Sequence, residues 1–462
     1  MSLPGLRSRL DLMDKTVLYI ADKVRGAGGR TFFVGGFVRD SILGERNDSV
    51  DTDIEVHGIM PQQLREILAE IGDPLSMGQS FGIYSLRGSN IDIAMPRKER
   101  RSGPGHRDFE VDVDPFIGTY EAARRRDFTI NALMEDVLTG EVIDHFGGLD
   151  DIEKRIIRHV DPGTFAEDPL RVLRAAQFAS RLGFRIAGET EDLCRGIDLG
   201  TLSRERVEGE MKKAMLKADK PSVFFNALRD MQQLDVWFPE LEQLIGVEQD
   251  PVYHPEGDVW VHTMEVVDRA AVFRDRVAEP YAFMLLALTH DMGKAVTTEY
   301  IKGRIHAYEH ETKGLPAVQR FLERITGDKS VTGYVLNMVP LHMRPNIAAF
   351  SRPAVKSTNR MFDEACAPED LIWFAEADRP LFSGSEAFTG DRGFLLDRLE
   401  VYRRTMAKPY VMGRDLIEAG LEPGEYYSEL LAYAHKLRLA GIEKDAALKQ
   451  VLAYARKKRF GQ

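Results

Sequence analysis

The sequence predicts an α+β chain, with an α/β head over about the first 150 residues and a long all-helical body behind it. Three observations carry that prediction. Short strand-like runs alternate with helical ones up to about residue 150. From Asp151 onward strand signals almost vanish, and apolar residues recur at helical spacing to the C-terminus. The 462 residues, 44% of them hydrophobic, suffice for more than one core.

Thr31-Phe32-Phe33-Val34 reads as a short buried strand, and Arg39 to Leu43 as the start of a helix. Between them lies Gly35-Gly36, where backbone N–H groups can approach a polyphosphate that the positive end of the helix helps to hold. Asp51-Thr52-Asp53-Ile54-Glu55-Val56 reads as a second strand. Residues two apart on a strand share a face, so Asp51 and Asp53 can grip the same Mg²⁺ ions. Phe81–Leu86 and Ile91–Ala94 form a hairpin around Arg87-Gly88-Ser89-Asn90, and Thr139-Gly140 is a turn between Met134–Leu138 and Glu141–Asp144. Asp92 sits mid-strand between Ile91 and Ile93, where a carboxylate is costly unless exposed, paired or metal-bound. It is either a third carboxylate at the metals or an exposed strand residue. Arg39 and Arg126 are candidates to contact a triphosphate or ribose, since nucleotidyl transfer depends on charge neutralisation and positioning. Pro96 to Asp108, polar, basic and holding two glycines and two prolines, reads as a mobile loop. Asp250–Gly257 and Ser383-Gly384-Ser385 are linker candidates, with a break at Lys408-Pro409.

Composition narrows the function classes. No apolar run approaches the ~20 residues needed to span a bilayer, and the first residues lack a signal-peptide apolar core. Two distant cysteines, Cys194 and Cys366, imply no disulfide framework and suit a reducing cytoplasm. The net charge of −11 argues against indiscriminate coating of nucleic acid while leaving room for a local basic groove. Basic runs occur at Arg97–Arg101, Arg124–Arg126 and Arg456–Arg459.

Gly35-Gly36-Phe37-Val38-Arg39-Asp40 with Asp51-Thr52-Asp53, then Arg125-Arg126-Asp127-Phe128-Thr129-Ile130-Asn131-Ala132-Leu133, then Glu167-Asp168-Pro169-Leu170-Arg171, resembles the class II tRNA nucleotidyltransferases. These are the CCA-adding enzymes and related bacterial poly(A) polymerases, whose head is DNA polymerase beta-like. The match covers roughly residues 30–215. The resemblance implies that Arg125, Arg126 and Asp127, with Asn131 in the same segment, handle the ribose of the incoming nucleotide. It implies that Asp168 and Arg171, supported by Glu167 and Arg174, act as a protein template for the base, buttressed by Glu205–Glu210. Asp168 and Arg171 lie three apart, as neighbours on one helix face do. Cytosine and adenine each present an amino donor beside a ring-nitrogen acceptor, so a carboxylate and a guanidinium read both and reject guanine and uracil. Gln177 stands where many relatives carry an arginine. The loop before Glu110 leans toward an enzyme able to add the terminal A.

In the helical region, His262, the adjacent His290-Asp291 at the end of an apolar run, His310, His342 and Asp378 suit a transition metal. Their order resembles the HD phosphohydrolases, which implies His262, His290, Asp291 and Asp378 as ligands and His310 and His342 as the extra ligands of two-metal members. The expected organisation is a nucleotidyltransferase head over 1–150, a helical neck with the template over 151–245, an HD domain over 246–385 and a C-terminal helical RNA-binding body over 386–462. The expected function is addition of CCA to the tRNA 3′ end from CTP and ATP, with an active hydrolase beside it. Poly(A) polymerases and enzymes adding only CC or only A share the motifs. A poly(A) polymerase usually carries a strongly basic C-terminal extension, for which this chain offers Arg456–Arg459. A rival of another class, an HD hydrolase with a merely RNA-binding head, would require a broken head.

Overall fold

The computed structural model describes residues 15–44, 52–72, 74–76, 83–86, 90–101, 109–379 and 385–459. The chain divides into two compact units, Met1–Ala214 with Val223–Trp237 and Met215–Ser222 with Phe238–Gln462.

The first unit is built on a mixed sheet. Its strands are β1 (Arg30–Val34), β2 (Thr52–His57), β3 (Pro74–Ser76), β4 (Ile83–Leu86) and β5 (Ile91–Ala94), with β6 (Arg97–Arg101) and β7 (Phe109–Val113) forming a separate ribbon, then β8 (Met134–Asp136) and β9 (Val142–Ile143). The seven-stranded sheet runs β3-β4-β5-β2-β1-β8-β9. Strand β1 is antiparallel to both β2 and β8, whereas β2 and β5 are parallel. Phe32, Phe33, Ile54, Val56, Ile91, Ile93 and Met134 are buried, together with Val17, Ile20 and Val24 of the helix Lys15–Gly26 and Leu64 and Leu68 of the helix Pro61–Ala69. Alternation is clearest in β5, where buried Ile91 and Ile93 flank exposed Asp92.

Two expectations change here. The segment from Pro96 is not a loop throughout: β6 pairs antiparallel with β7 from Arg97 opposite Val113 to Arg101 opposite Phe109, leaving 102–108 outside the described residues. The alternating partner Phe109-Glu110-Val111-Asp112-Val113 supplies a β template that a reading by polarity overlooks. Strand structure also continues past Asp151, as the short parallel pair β10 (Ile156–Ile157) and β11 (Arg185–Ile186) and as the hairpin β12 (Thr298–Ile301) and β13 (Arg304–Ala307). That hairpin turns through Lys302 and Gly303, both at positive φ, the two-residue turn whose twist matches the flanking strands.

Helices dominate the rest. Asp258 caps the helix Val259–Ala271 by accepting from the Val261 N–H, and Asp328 caps Lys329–Met338 in the same way. In the helix Pro280–Thr289 every residue from Tyr281 on is buried, which makes it the central rod of the second unit. The 23-residue helix Ser385–Ala407 stops just before Lys408-Pro409, where Pro disfavours further helix. Residues Ser383 and Gly384 lie outside the described set.

Candidate active site and metal centre

In the first unit the glycine turn follows β1. Gly35 has φ of 65°, a conformation that favours glycine, and a Cβ placed on it would crowd Nη1 of Arg126 at 3.1 Å. The helix Gly36–Leu43 starts directly behind it, with no side-chain cap on its first turn. On the neighbouring strand Asp53 is exposed and stands in register with Asp92, also exposed. Asp51 lies outside the described residues. Asp92 is therefore an exposed strand residue, and it stands beside Asp53. Two in-register carboxylates at one open strand end are a donor set that fits a hard divalent cation.

Glu55, next on the Asp53 face, went unnoticed in the sequence although the two-residue period through Asp51 and Asp53 leads to it. It is buried; its Oε2 accepts from Nη2 of Arg126 at 3.1 Å and its Oε1 lies 2.8 Å from Nε2 of His57. Burial pushes the Glu55 carboxyl up, but His57 and Arg126 outweigh it and hold it below its usual value. Glu55 thus stays ionised and fixes Arg126 under the Gly35 turn.

Behind the turn runs a continuous polar chain. Arg174 donates to Asp127 Oδ2 from Nε at 2.7 Å, and Asn131 Nδ2 donates to Asp127 Oδ1 at 3.0 Å. Asn131 Oδ1 accepts from Arg39 Nη1 at 2.5 Å, and Arg39 Nε donates to Asp40 at 2.7 Å. The guanidinium groups of Arg39, Arg174 and Arg181 all pack on the Phe178 ring, at 5.0, 5.2 and 5.4 Å. Arg39, a candidate to contact the triphosphate or ribose, is only 2% exposed, and its donors go to Asn131 and Asp40.

The base-reading pair also sits differently from the expectation. The helix Leu170–Leu182 starts after Pro169, so Asp168 precedes it instead of sharing its face, and accepts from the Leu170 N–H at 3.1 Å. Its carboxylate takes Nη2 of Arg206 at 2.8 and 3.0 Å, from the segment expected to buttress it. Arg171 donates to the carbonyls of Thr164 at 2.6 Å and Arg125 at 2.7 Å. Gln177 is buried with no hydrogen-bond partner for its Nε2.

In the second unit the six expected ligands converge from helix ends. His262 lies in the helix Val259–Ala271, His290 and Asp291 follow Pro280–Thr289, and His310 opens the turn His310–Lys313. His342 immediately precedes Met343–Ser351, and Asp378 follows Asp370–Ala377. Asp291 lies at the centre: its Oδ1 is 3.2 and 3.9 Å from Nε2 of His310 and His342, and its Oδ2 is 3.3 and 3.6 Å from Nε2 of His290 and His262. Asp378 Oδ1 is 3.1 Å from His262 and 3.5 Å from His290. The Nδ1 atoms of His290, His310 and His342 sit 2.7–2.9 Å from the carbonyls of Ala287, Ala307 and Val339, which leaves each Nε2 aimed inward. Lys294 approaches Asp291 Oδ2 at 2.7 Å, yet neither Asp291 oxygen has a well-directed hydrogen bond, and both are buried. Burial lowers the His290 pKa, but Asp291 and Asp378 outweigh it and push the imidazole up to about 10, while burial and His290 push His342 down to about 4. Four imidazoles around one orphaned carboxylate are a donor set that would fit a transition metal.

Glu256 is a second residue that sequence reasoning passes over: its Oε1 lies 2.7 Å from Nδ1 of His262 and 2.9 Å from Nδ1 of His254. Burial raises the Glu256 carboxyl, but the hydrogen bonds of both imidazoles hold it at about 2. Glu256 orients His262 from a segment read only as a linker.

Against known proteins, residues 31–158 match the family model for the poly A polymerase head domain. The chain is 35% identical over 433 residues to a multifunctional CCA protein of Xanthomonas campestris pv. campestris, covering 91% of this chain and 99% of the relative. A multifunctional CCA protein of Actinobacillus pleuropneumoniae is 36% identical over 330 residues, covering 70% and 77%. The fold is similar to that of the Thermotoga maritima CCA-adding enzyme complexed with tRNA, with a TM-score of 0.64 at 21% identity over 96% of this chain and 97% of that one.

Proposed function

The chain belongs to the family of multifunctional CCA proteins, and from that premise we propose that it adds C and A nucleotides from CTP and ATP to the 3′ end of tRNA without a nucleic-acid template. The observation that carries the reading is the open pair Asp53–Asp92 beside the Gly35 turn, under which Glu55 holds Arg126. Asp53, with Asp92 in register beside it, would hold together with Asp51 a divalent cation that we take to be Mg²⁺. When bound, that ion supplies charge neutralisation at the triphosphate and acidifies the RNA hydroxyl.

The chain's own residues do the rest. Gly35 and Gly36 let backbone N–H groups meet the phosphates, and Arg126 adds a preset positive charge whose direction Glu55 fixes. Arg125 and Asp127 border the ribose, while Asn131, Arg174 and Arg39 keep Asp127 in place. Asp168, steadied by Arg206, accepts from the amino group of cytosine or adenine, and Arg171, steadied by two carbonyls, donates to the ring nitrogen. Such a pair needs no template strand. The division of labour we propose is a head over 1–150, a template-bearing neck over 151–245, a hydrolase over 246–385 and a body over 386–462 that grips the acceptor arm. The cytoplasm is the proposed place of action, where tRNA is the substrate. No described helix is long and apolar enough to cross a membrane.

We also propose a metal-dependent phosphohydrolase at Asp291, supported by its orphaned oxygens within four converging imidazoles. Metal ions held there would polarise a phosphoester and supply a nucleophile at neutral pH. Asp53→Asn tests the transferase reading: it should abolish CTP and ATP incorporation with phosphoester hydrolysis unchanged. Incorporation at the wild-type rate by Asp53→Asn would overturn it.

A further inference from the structure

The hairpin β12–β13 stands against the metal cluster and presents aromatic rings to solvent. The carbonyl of Ala307, its last residue, accepts from Nδ1 of His310 at 2.8 Å, so the hairpin is bonded directly to a candidate ligand. Between them Glu309 has φ of 58°, a left-handed conformation costly for a side-chain-bearing residue. That kink separates two neighbours: Tyr308 is turned outward, 60% exposed, and His310 is turned inward, 6% exposed. The His306 and Tyr308 rings lie stacked, 5.0 Å between centroids and 9° between planes. Opposite, Arg304 pairs with Asp250 at 2.9 Å and lies 6.0 Å from the ring of exposed Tyr253, which ties the segment preceding His254 and Glu256 to the hairpin.

A soluble surface ordinarily scatters its exposed aromatics singly. Here a stacked pair, half-buried His306 on the strand and exposed Tyr308 just past it, lies two residues from the candidate ligand His310. Aromatic faces of this kind bind nucleobases of single strands, each stack contributing enough for a tenfold change or more in affinity. We infer that His306 and Tyr308 form a stacking platform for the terminal base of an RNA 3′ end, on the segment that leads into the Asp291 site through His310. This rests on the hydrolase reading for its purpose, and on geometry alone for its binding. It makes the hydrolase selective for nucleotides over other phosphoesters. The platform would also stack a cyclic-phosphate end, because the base, not the phosphate form, is what it reads.

The test uses the full chain and a short oligoribonucleotide with 2-aminopurine as its last base and a 3′-phosphate. Binding is followed by quenching of the 2-aminopurine fluorescence, and hydrolysis by phosphate release, with β-glycerophosphate as a substrate lacking a base. In Tyr308→Ala and His306→Ala the quenching should weaken about tenfold in Kd and the KM for the oligonucleotide rise in step. Hydrolysis of β-glycerophosphate should be unchanged, and Tyr308→Phe, which keeps the ring, should behave as wild type. Ring-dependent quenching with no hydrolysis of either substrate would uphold the platform while removing the hydrolase reading. Quenching equal in wild type and Tyr308→Ala overturns the inference, as does equal loss of both substrates in Tyr308→Ala. Absence of quenching in the wild type overturns it too and leaves the rings to a protein partner.

Discussion

Asp127→Asn keeps the shape of a buried side chain and removes its charge. The carboxylate takes four donors: Phe128 N at 2.8 Å and Asn131 Nδ2 at 3.0 Å on Oδ1, and Arg174 Nε at 2.7 Å and Nη2 at 2.6 Å on Oδ2. An amide has one acceptor oxygen, so whichever way it turns, its NH₂ group faces two donors. If the oxygen stays with Phe128 and Asn131, two charge-assisted bonds from Arg174 are lost, each contributing about 1.5–3 kcal/mol. Arg174 is 31% exposed at its side chain, so water recovers part of the loss, and the net destabilisation should be about 3 kcal/mol. The acid dependence follows from the same contacts. Burial pushes the Asp127 carboxyl up, but Arg174 and Asn131 outweigh it and hold it below the ordinary range. Its contribution is therefore complete above the unfolded value of about 4 and is withdrawn as the pH falls through the lower folded value. Hydrogen exchange read by mass spectrometry over residues 124–136 and 170–182 measures the local opening free energy. Faster exchange in the variant at pH 7, with a gap to wild type that narrows below about pH 4, is the expected result. A gap under about 1 kcal/mol at pH 7, or one that widens on acidification, would refute the reasoning.

Other consequences can be read in the same way. Glu55→Gln leaves Arg126 without its charged anchor and should raise the KM for CTP and ATP about tenfold, read in steady-state incorporation. An unchanged KM would mean that Arg126 does not meet the nucleotide. Gly293→Ala would place a Cβ 2.0 Å from the His310 carbonyl oxygen and 2.9 Å from Gly314 Cα, so the backbone must shift and carry His310 with it. The cost should be about 2 kcal/mol or more, with bound metal per chain falling in elemental analysis while nucleotide addition persists.

How much of this was legible in the sequence depended on whether a feature is local. Gly35-Gly36 and the Asp51/Asp53 pair are short-range signals, and the strands and turn they imply are present where described. Glu55 was within reach, since a two-residue period leads straight to it, but its role rests on Arg126, 71 residues away. Asp168 was put on a helix because its spacing to Arg171 is helical, whereas Pro169 starts the helix later. The hairpin at Thr298–Ala307 was hidden by its length: two four-residue strands around Lys302-Gly303 are too brief to interrupt a helical pattern. The candidate metal ligands show as an adjacent His-Asp pair and a family order, not as a period, because all but His262 sit at helix ends. Glu256 and His254 carry no sequence signal at all, since a hydrogen bond between Glu256 and a ring six residues on and the edge-to-face contact of His254 with that same ring leave no trace in composition.

The central claim is that the head builds a finite CCA end. Its most direct measurement is extension of tRNA transcripts lacking all three terminal nucleotides, lacking only the final A, or already complete, with CTP and ATP given separately and together. The account predicts that the first grows by C, C and A and then stops, the second takes one A, and the third stays unchanged. Unlimited A addition, or growth of only one incomplete transcript, would contradict it.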